Sequence, residues 1–191
     1  MIKKTLAIVL VIFLNLVILN GCIEQSDNNS NKEISLDKLR LNIDDLNEEG
    51  YVEFDEIHET SEYIAPNGTI FEGWLIKEKY NLGFHKNNNI SSFIIQTLGR
   101  LSSEEKADEF INDIRTLNLP YNFTEISSET IGEKSYLGKN TTIILGDKVQ
   151  LYFLVFKIKD IAVALIGSYI SEDTIIDYAK IIEKNIKDNI S

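Results

Sequence analysis

The chain has 191 residues, 43% of them hydrophobic, which is enough for one domain with a proper core, and a formal net charge of −11. Setting aside Lys3 and Lys4 makes the balance more negative still, which argues against nucleic acid, whose phosphates reward Lys and Arg, and predicts repulsion from an anionic bilayer. The lone cysteine, Cys22, excludes an intramolecular disulfide.

The first predicted element is a leader. Lys3 and Lys4 precede Leu6 to Leu19, an apolar run interrupted only by Asn15. Its length suits the roughly 7–15 apolar residues of a secretory signal and falls short of the ~20 that a transmembrane helix needs. Leu19-Asn20-Gly21-Cys22 closes the run. These four residues resemble the lipobox of bacterial and archaeal lipoproteins, with an aliphatic residue three before the Cys and a small one just before it. The resemblance implies that residues 1–21 are a signal peptide and that Cys22 is lipidated after cleavage. Each buried lipid CH₂ then contributes about 0.8 kcal/mol to anchoring. A plain secretory signal with an incidental cysteine, or an uncleaved anchor helix, is the alternative. Residues 22–33 are polar and Asn/Ser-rich and read as the lipidated Cys with a disordered tether. Residues 34–191 read as a single globular domain.

"ISLDKLRLNIDDL" mixes helical and alternate spacing, as a short helix or an extended lead-in, and Gly50 ends it. "YVEFDEIHET" interleaves polar and apolar residues as a strand; "APNG" at 65–68 turns the chain. "TIFEGWLIKEKY" and "ISSFIIQTLG" read as two more strands, with "NLGFHKNNN" as the loop between them. Ser102 and Glu105 make a capping-box pattern before a helix whose stripe is Ala107, Phe110, Ile111 and Ile114.

In the second half "TTIIL", "VQLYFLVFKI" and "IAVALIGSYI" are strand-like, with a tight turn at Lys159-Asp160. Ser171 then caps a helix with Ile175, Tyr178, Ala179, Ile182 and Ile186 on one face. Strands followed by a Ser-capped acidic helix start thus occur twice, through duplication of a β-β-α unit or through convergence on the same capping chemistry. Tyr152, Leu154, Phe156 and Ile158 alternate with Leu151, Phe153 and Val155, so this sheet must be covered on both faces. Ala162 and Ala164 leave room for a close helix. The predicted architecture is α+β: an antiparallel sheet of five or six strands with two main helices.

Four phrases, "LNIDDLNEEGY", "IGEKS" at 131–135, "FKIKDIAVALIG" and "YAKIIEKNI", resemble uncharacterised extracytoplasmic lipoproteins of archaea and bacteria. That resemblance implies a small α+β domain similar to the extrinsic photosystem II subunit fold, and it implies no chemistry.

Asp45, Asn47, Glu49, Gly50 and Glu56 approximate an EF-hand loop, whose oxygen ligands at alternate positions suit hard Ca²⁺. The segment that follows favours a strand over the helix such a site requires, and Gly50 serves equally as a turn. No basic residue lies between Arg40 and Lys77, while acids crowd positions 44–62. A run of this kind is a solvated face, or else a surface for cations or a basic partner. His58 and His85 are the only neutral-pH bases, and neither has the spacing of a nucleophile partner or metal ligand. Trp74, Tyr80 and Phe84 are candidates to line a ligand cleft or to fill the core. N-x-[ST] sequons stand at Asn28, Asn67, Asn89, Asn122, Asn140 and Asn189.

The expected function is a lipid-anchored, extracytoplasmic binding or interaction module without catalytic residues, metal or cofactor. It meets the membrane through Cys22 and takes an unknown protein or small-molecule ligand. The rival expectations are a calcium-dependent envelope protein built on residues 45–56, and a hydrolase of unknown substrate.

Overall fold

A computed structural model describes residues 33–65, 70–116, 123–126, 130–144 and 146–190. The leader, Cys22 and the tether up to residue 32 lie outside them, as do residues 66–68 of the turn predicted at 65–68 and the sequons Asn28, Asn67 and Asn122.

The chain enters through two one-turn 3₁₀ helices, Leu36–Lys38 and Ile43–Asp45, which settles the mixed periodicity of that stretch as a strap of short turns. The strands are β1 (Tyr51–Glu59), β2 (Tyr63–Ile64), β3 (Leu75–Lys86), β4 (Asn89–Leu101), β5 (Thr124–Glu125), β6 (Lys134–Ile144), β7 (Asp147–Ile158) and β8 (Ile161–Ser168). Helix α1 (Glu104–Thr116) lies between β4 and β5, and α2 (Glu172–Asn189) closes the chain.

One antiparallel sheet contains all eight strands, in the order β1-β3-β4-β8-β7-β6-β5, with β2 paired to the end of β3. The class is the predicted α+β, but the sheet is larger than five or six strands, and helical turns occur beyond the two main helices. The extra strands have a physical cause. β6 pairs with β7 over its whole length, from Lys134↔Lys157 to Ile144↔Asp147, so tertiary pairing carries Gly138, Lys139 and Asn140 into a strand that their propensities disfavour. β2 and β5 pair over two residues each, too short to leave a pattern.

Both faces of the sheet are covered. On the first face, Leu36, Leu39 and Leu41 of the strap and Ile175, Tyr178, Ala179, Ile182 and Ile186 of α2 pack on Tyr80, Leu82, Phe84, Leu98, Leu154, Phe156 and Val163. On the second, the α1 stripe Ala107, Phe110, Ile111 and Ile114 joins Phe71, Phe123, Phe153, Val155, Ala162 and Ala164. The alternation in β7 therefore sorts residues to the two faces as predicted.

Two details differ from expectation. The α1 cap is Ser103, whose Oγ accepts from Lys106 N at 3.2 Å, because β4 runs on to Leu101 and the helix starts one residue later than Ser102 implies. Secondly, α1 and α2 lie on opposite faces. A two-fold repeat relating β3-β4-α1 to β7-β8-α2 across the antiparallel β4–β8 pair would place them on the same face, so the recurrence is one of capping chemistry.

Candidate functional site

The second face is unevenly sealed. At the β7–β8 turn end, Ile70–Gly73 forms a turn instead of the predicted start of β3, pinned by Trp74 N to Phe71 O at 2.9 Å and Gly73 N to Ala65 O at 3.0 Å. This turn drops Phe71 onto Gly99, where an added Cβ would lie 2.4 Å from the ring. Phe71 in turn meets Phe110 at 4.7 Å, and Trp74 stands edge-on to Phe110 at 5.9 Å.

Further along the strands, two cross-strand rows form the floor of a small cleft: Phe54–Gly83–Ile95, and Ile57–Asn81–Thr97. Between Phe54 and Ile57 the register of β1 slips, with Asp55 at φ 51°, so two residues of β1 oppose Leu82 alone. The bulge re-aims Phe54 over Gly83, whose added Cβ would lie 2.4 Å from the ring. Phe54 also meets the His85 ring at 5.3 Å. Phe54, Ile57, Ile95 and Thr97 are half-buried, whereas Asn81 is only 5% exposed. Both atoms of its carboxamide lack a hydrogen-bond partner among the described residues, and they are the only buried side-chain polar atoms there to do so. The cleft volume is about 30 Å³.

Two buried lysines lie on this face, Lys79 beside these rows and Lys157 farther across the sheet on β7. Lys79, 5% exposed, reaches Glu59 at 3.6 Å; burial pushes its ammonium down, with Glu59 opposing. Glu59 also accepts from the Tyr63 hydroxyl at 2.5 Å, and burial together with that bond pushes the phenol up. Lys157, 2% exposed, lies 3.0 Å from Glu133, 3.3 Å from Asp108 and 3.6 Å from Glu104. Burial works against its charge, but bonds to Glu133 and Asp108 outweigh that cost and push the ammonium up.

The sequence-predicted candidates fall elsewhere. Tyr80 and Phe84 are fully buried on the first face and Trp74 packs on the second, so the three do not line one cleft. The calcium loop is not assembled. Asp45 Oδ2 accepts from Asn42 N at 2.8 Å, Asn47 N donates to the Tyr178 hydroxyl at 3.2 Å, and Gly50, at φ 88°, turns the chain directly into a strand. Glu53 and Glu56 lie 4.0 and 3.7 Å from Arg40, and Glu56 also accepts from the Tyr80 hydroxyl at 2.8 Å. No group of three or more His, Cys, Asp or Glu that could hold a metal ion occurs among the described residues. Much of the acidic run is thus matched to Arg40, Lys79 and Lys86. Millimolar Ca²⁺ is expected to leave the thermal midpoint of the protein unchanged, since a ligand bound only to the folded state must raise it.

His58 does meet a hydroxyl and a carboxylate. Its Nε2 is 2.8 Å from Glu78 Oε1 and 3.4 Å from Ser35 Oγ. A hydrolytic triad needs the serine on one ring nitrogen and the acid on the other. Here both share Nε2, and the Ser35 hydroxyl donates to Glu78 at 3.0 Å. Glu78 Oε1 also accepts from Leu36 N at 2.8 Å, so the cluster fastens the strap to β3. His85 Nδ1 lies 3.1 Å from Lys86 O.

No protein-family profile matches the chain, and no curated protein matches it in sequence. Among solved structures, the extracellular domain of PknH from Mycobacterium tuberculosis superposes with a TM-score of 0.59 at 12% identity, covering 78% of this chain and 93% of that one. The likeness is one of fold.

Proposed function

We propose that the chain is a lipid-anchored extracytoplasmic binding module, non-catalytic, held to the membrane through Cys22. The observation that carries the binding role is the unevenly sealed second face, where a buried carboxamide without a partner lies beneath half-buried apolar side chains. The leader and its lipobox-like end support the address, and an extracellular domain of the same fold is consistent with it. No helix among the described residues is long and apolar enough to cross a membrane.

The fold also suits an N-terminal anchor. Arg100 donates to Ile34 O at 2.7 Å and lies 3.4 Å from Glu33 and 3.6 Å from Asp160, so the strap enters beside the β7–β8 turn.

Intact mass and membrane partitioning, compared for the native protein and Cys22→Ser, test the address. The native chain is expected to begin at Cys22, to carry acyl mass and to sediment with membranes, while the variant loses the acyl mass and most of the membrane fraction. A native chain that begins elsewhere with a bare thiol overturns the anchor.

A further inference from the structure

We propose that the paired strand ends carrying Ile64 and Leu75 form a bilayer-docking edge, which seats the tethered domain on the leaflet that holds its anchor. The occupant is the acyl boundary of a zwitterionic lipid surface. This deepens the address given above and rests on it; vesicle pelleting reports the anchor and fluorescence quenching reports the edge, so the two failures are told apart.

Ile64 and Leu75 stand directly opposite each other in the β2–β3 pair. They are 68% and 38% exposed, and no other two exposed large apolar side chains among the described residues occupy paired strand positions. Tyr63 and Ile76, the next pair along, join the second-face core, so the alternation of the pleat sends Ile64 and Leu75 to the other face, where the strap lies. The strap also enters beside them. Ile76 pairs with Leu101, and the preceding Arg100 donates to Ile34 O at 2.7 Å and lies 3.4 Å from Glu33, where the described chain begins. Only the eleven residues from Cys22 to Lys32, at most about 40 Å of extended chain, separate the lipidation site from this edge. A tether that short holds the domain against its own bilayer at an effective concentration on the order of millimolar, so a contact too weak to recruit a free protein suffices. Two apolar side chains provide one, since sinking them into the acyl boundary removes their surface from water. Charge selects the leaflet: Glu62 and Glu72, both exposed close by in sequence, are repelled by anionic lipid. Ile90, Ile143 and Tyr169, the exposed apolar residues at the opposite end of the strands, lie far from the strap entry.

Trp74, the only tryptophan of the chain, adjoins Leu75 and reports on the edge. The native full-length product is incorporated into vesicles of phosphatidylcholine brominated near the headgroup end of its acyl chains, and Trp74 fluorescence is compared with that in the same lipid without bromine. Quenching is expected. The double variant Ile64→Thr/Leu75→Thr, which keeps residues suited to strands, is expected to pellet with the vesicles as the native chain does and to hold its thermal midpoint within about 2 °C. It loses more than about half of the quenching, because the apolar contact is gone. Exchanging part of the lipid for phosphatidylglycerol is expected to reduce the native quenching as well. Should the double variant not fold, Ile64→Thr alone is read the same way. A pelleted native chain whose Trp74 is not quenched overturns the docking edge, as does equal quenching in native and variant, or quenching that grows with phosphatidylglycerol. A native chain that does not pellet overturns the anchor and the edge together.

Discussion

Phe71→Ala is expected to lower the stability of the protein by about 3–5 kcal/mol, the range for emptying a fully buried aromatic site. In a domain of this size each kcal/mol moves the midpoint by about 2–4 °C, so thermal denaturation should show a fall on the order of 10 °C. The ring has no room to compensate. One side rests on the backbone of Gly99 and the other meets Phe110. The same geometry makes Gly99→Ala costly, about 1–3 kcal/mol, because the new methyl lands 2.4 Å from the ring. The two changes share one volume, so the double variant should cost clearly less than the sum of the single ones. A double-mutant cycle measures this, and simple additivity would refute the proposed stacking of ring on glycine.

The features legible in the sequence are those that burial writes into a local period. β7 is covered on both faces and therefore reads as an unbroken apolar run, and the stripes of α1 and α2 repeat every three or four residues. The candidate site has no such period. Ile57, Asn81 and Thr97 come from three strands and meet only through register, which no single stretch of chain records. The local signal there even points the wrong way. "NLGFHK" reads as a loop because Asn and Gly favour turns, yet it is the second half of β3. Gly83 is there to admit the Phe54 ring. A usable hint was present at Gln96, a carboxamide between Ile94 and Leu98 on an otherwise apolar strand face, where a polar side chain needs a partner; Asn81, among Lys79, Gly83 and His85, gives no such signal. The calcium-like loop failed for the opposite reason. Apart from Glu49 at the fifth position its residue types fit, but β1 carries Glu53 and Glu56 along an extended strand towards Arg40 and not back around a common centre.

Gln96→Leu should detach the strap from the sheet while leaving the rest of the fold in place. The change removes both partners of the Leu41 backbone, which lies in a fully buried residue, at a cost of about 1–3 kcal/mol for each group left unmatched. The other fastenings of the strap, Ser35 and Leu36 N to Glu78, Arg40 to the Tyr80 hydroxyl at 2.7 Å, Asn185 to Arg40 O at 3.1 Å, Arg100 to Ile34 O and Asn47 N to the Tyr178 hydroxyl, are only part-buried. Water can replace them, so they do not compensate for the loss of the buried pair. Hydrogen exchange is expected to speed up at Leu41 and its neighbours, and limited proteolysis to cut within residues 33–47, while exchange in β7, β8 and α2 keeps its native rate. Uniform acceleration across the sheet would instead mean that Gln96 supports the whole core. Gln96→Glu adds a second check with a definite sign. Its ionised form offers an acceptor to Leu41 N but faces Leu41 O with no donor, so the strap should loosen at neutral pH and tighten again when acid restores a hydroxyl.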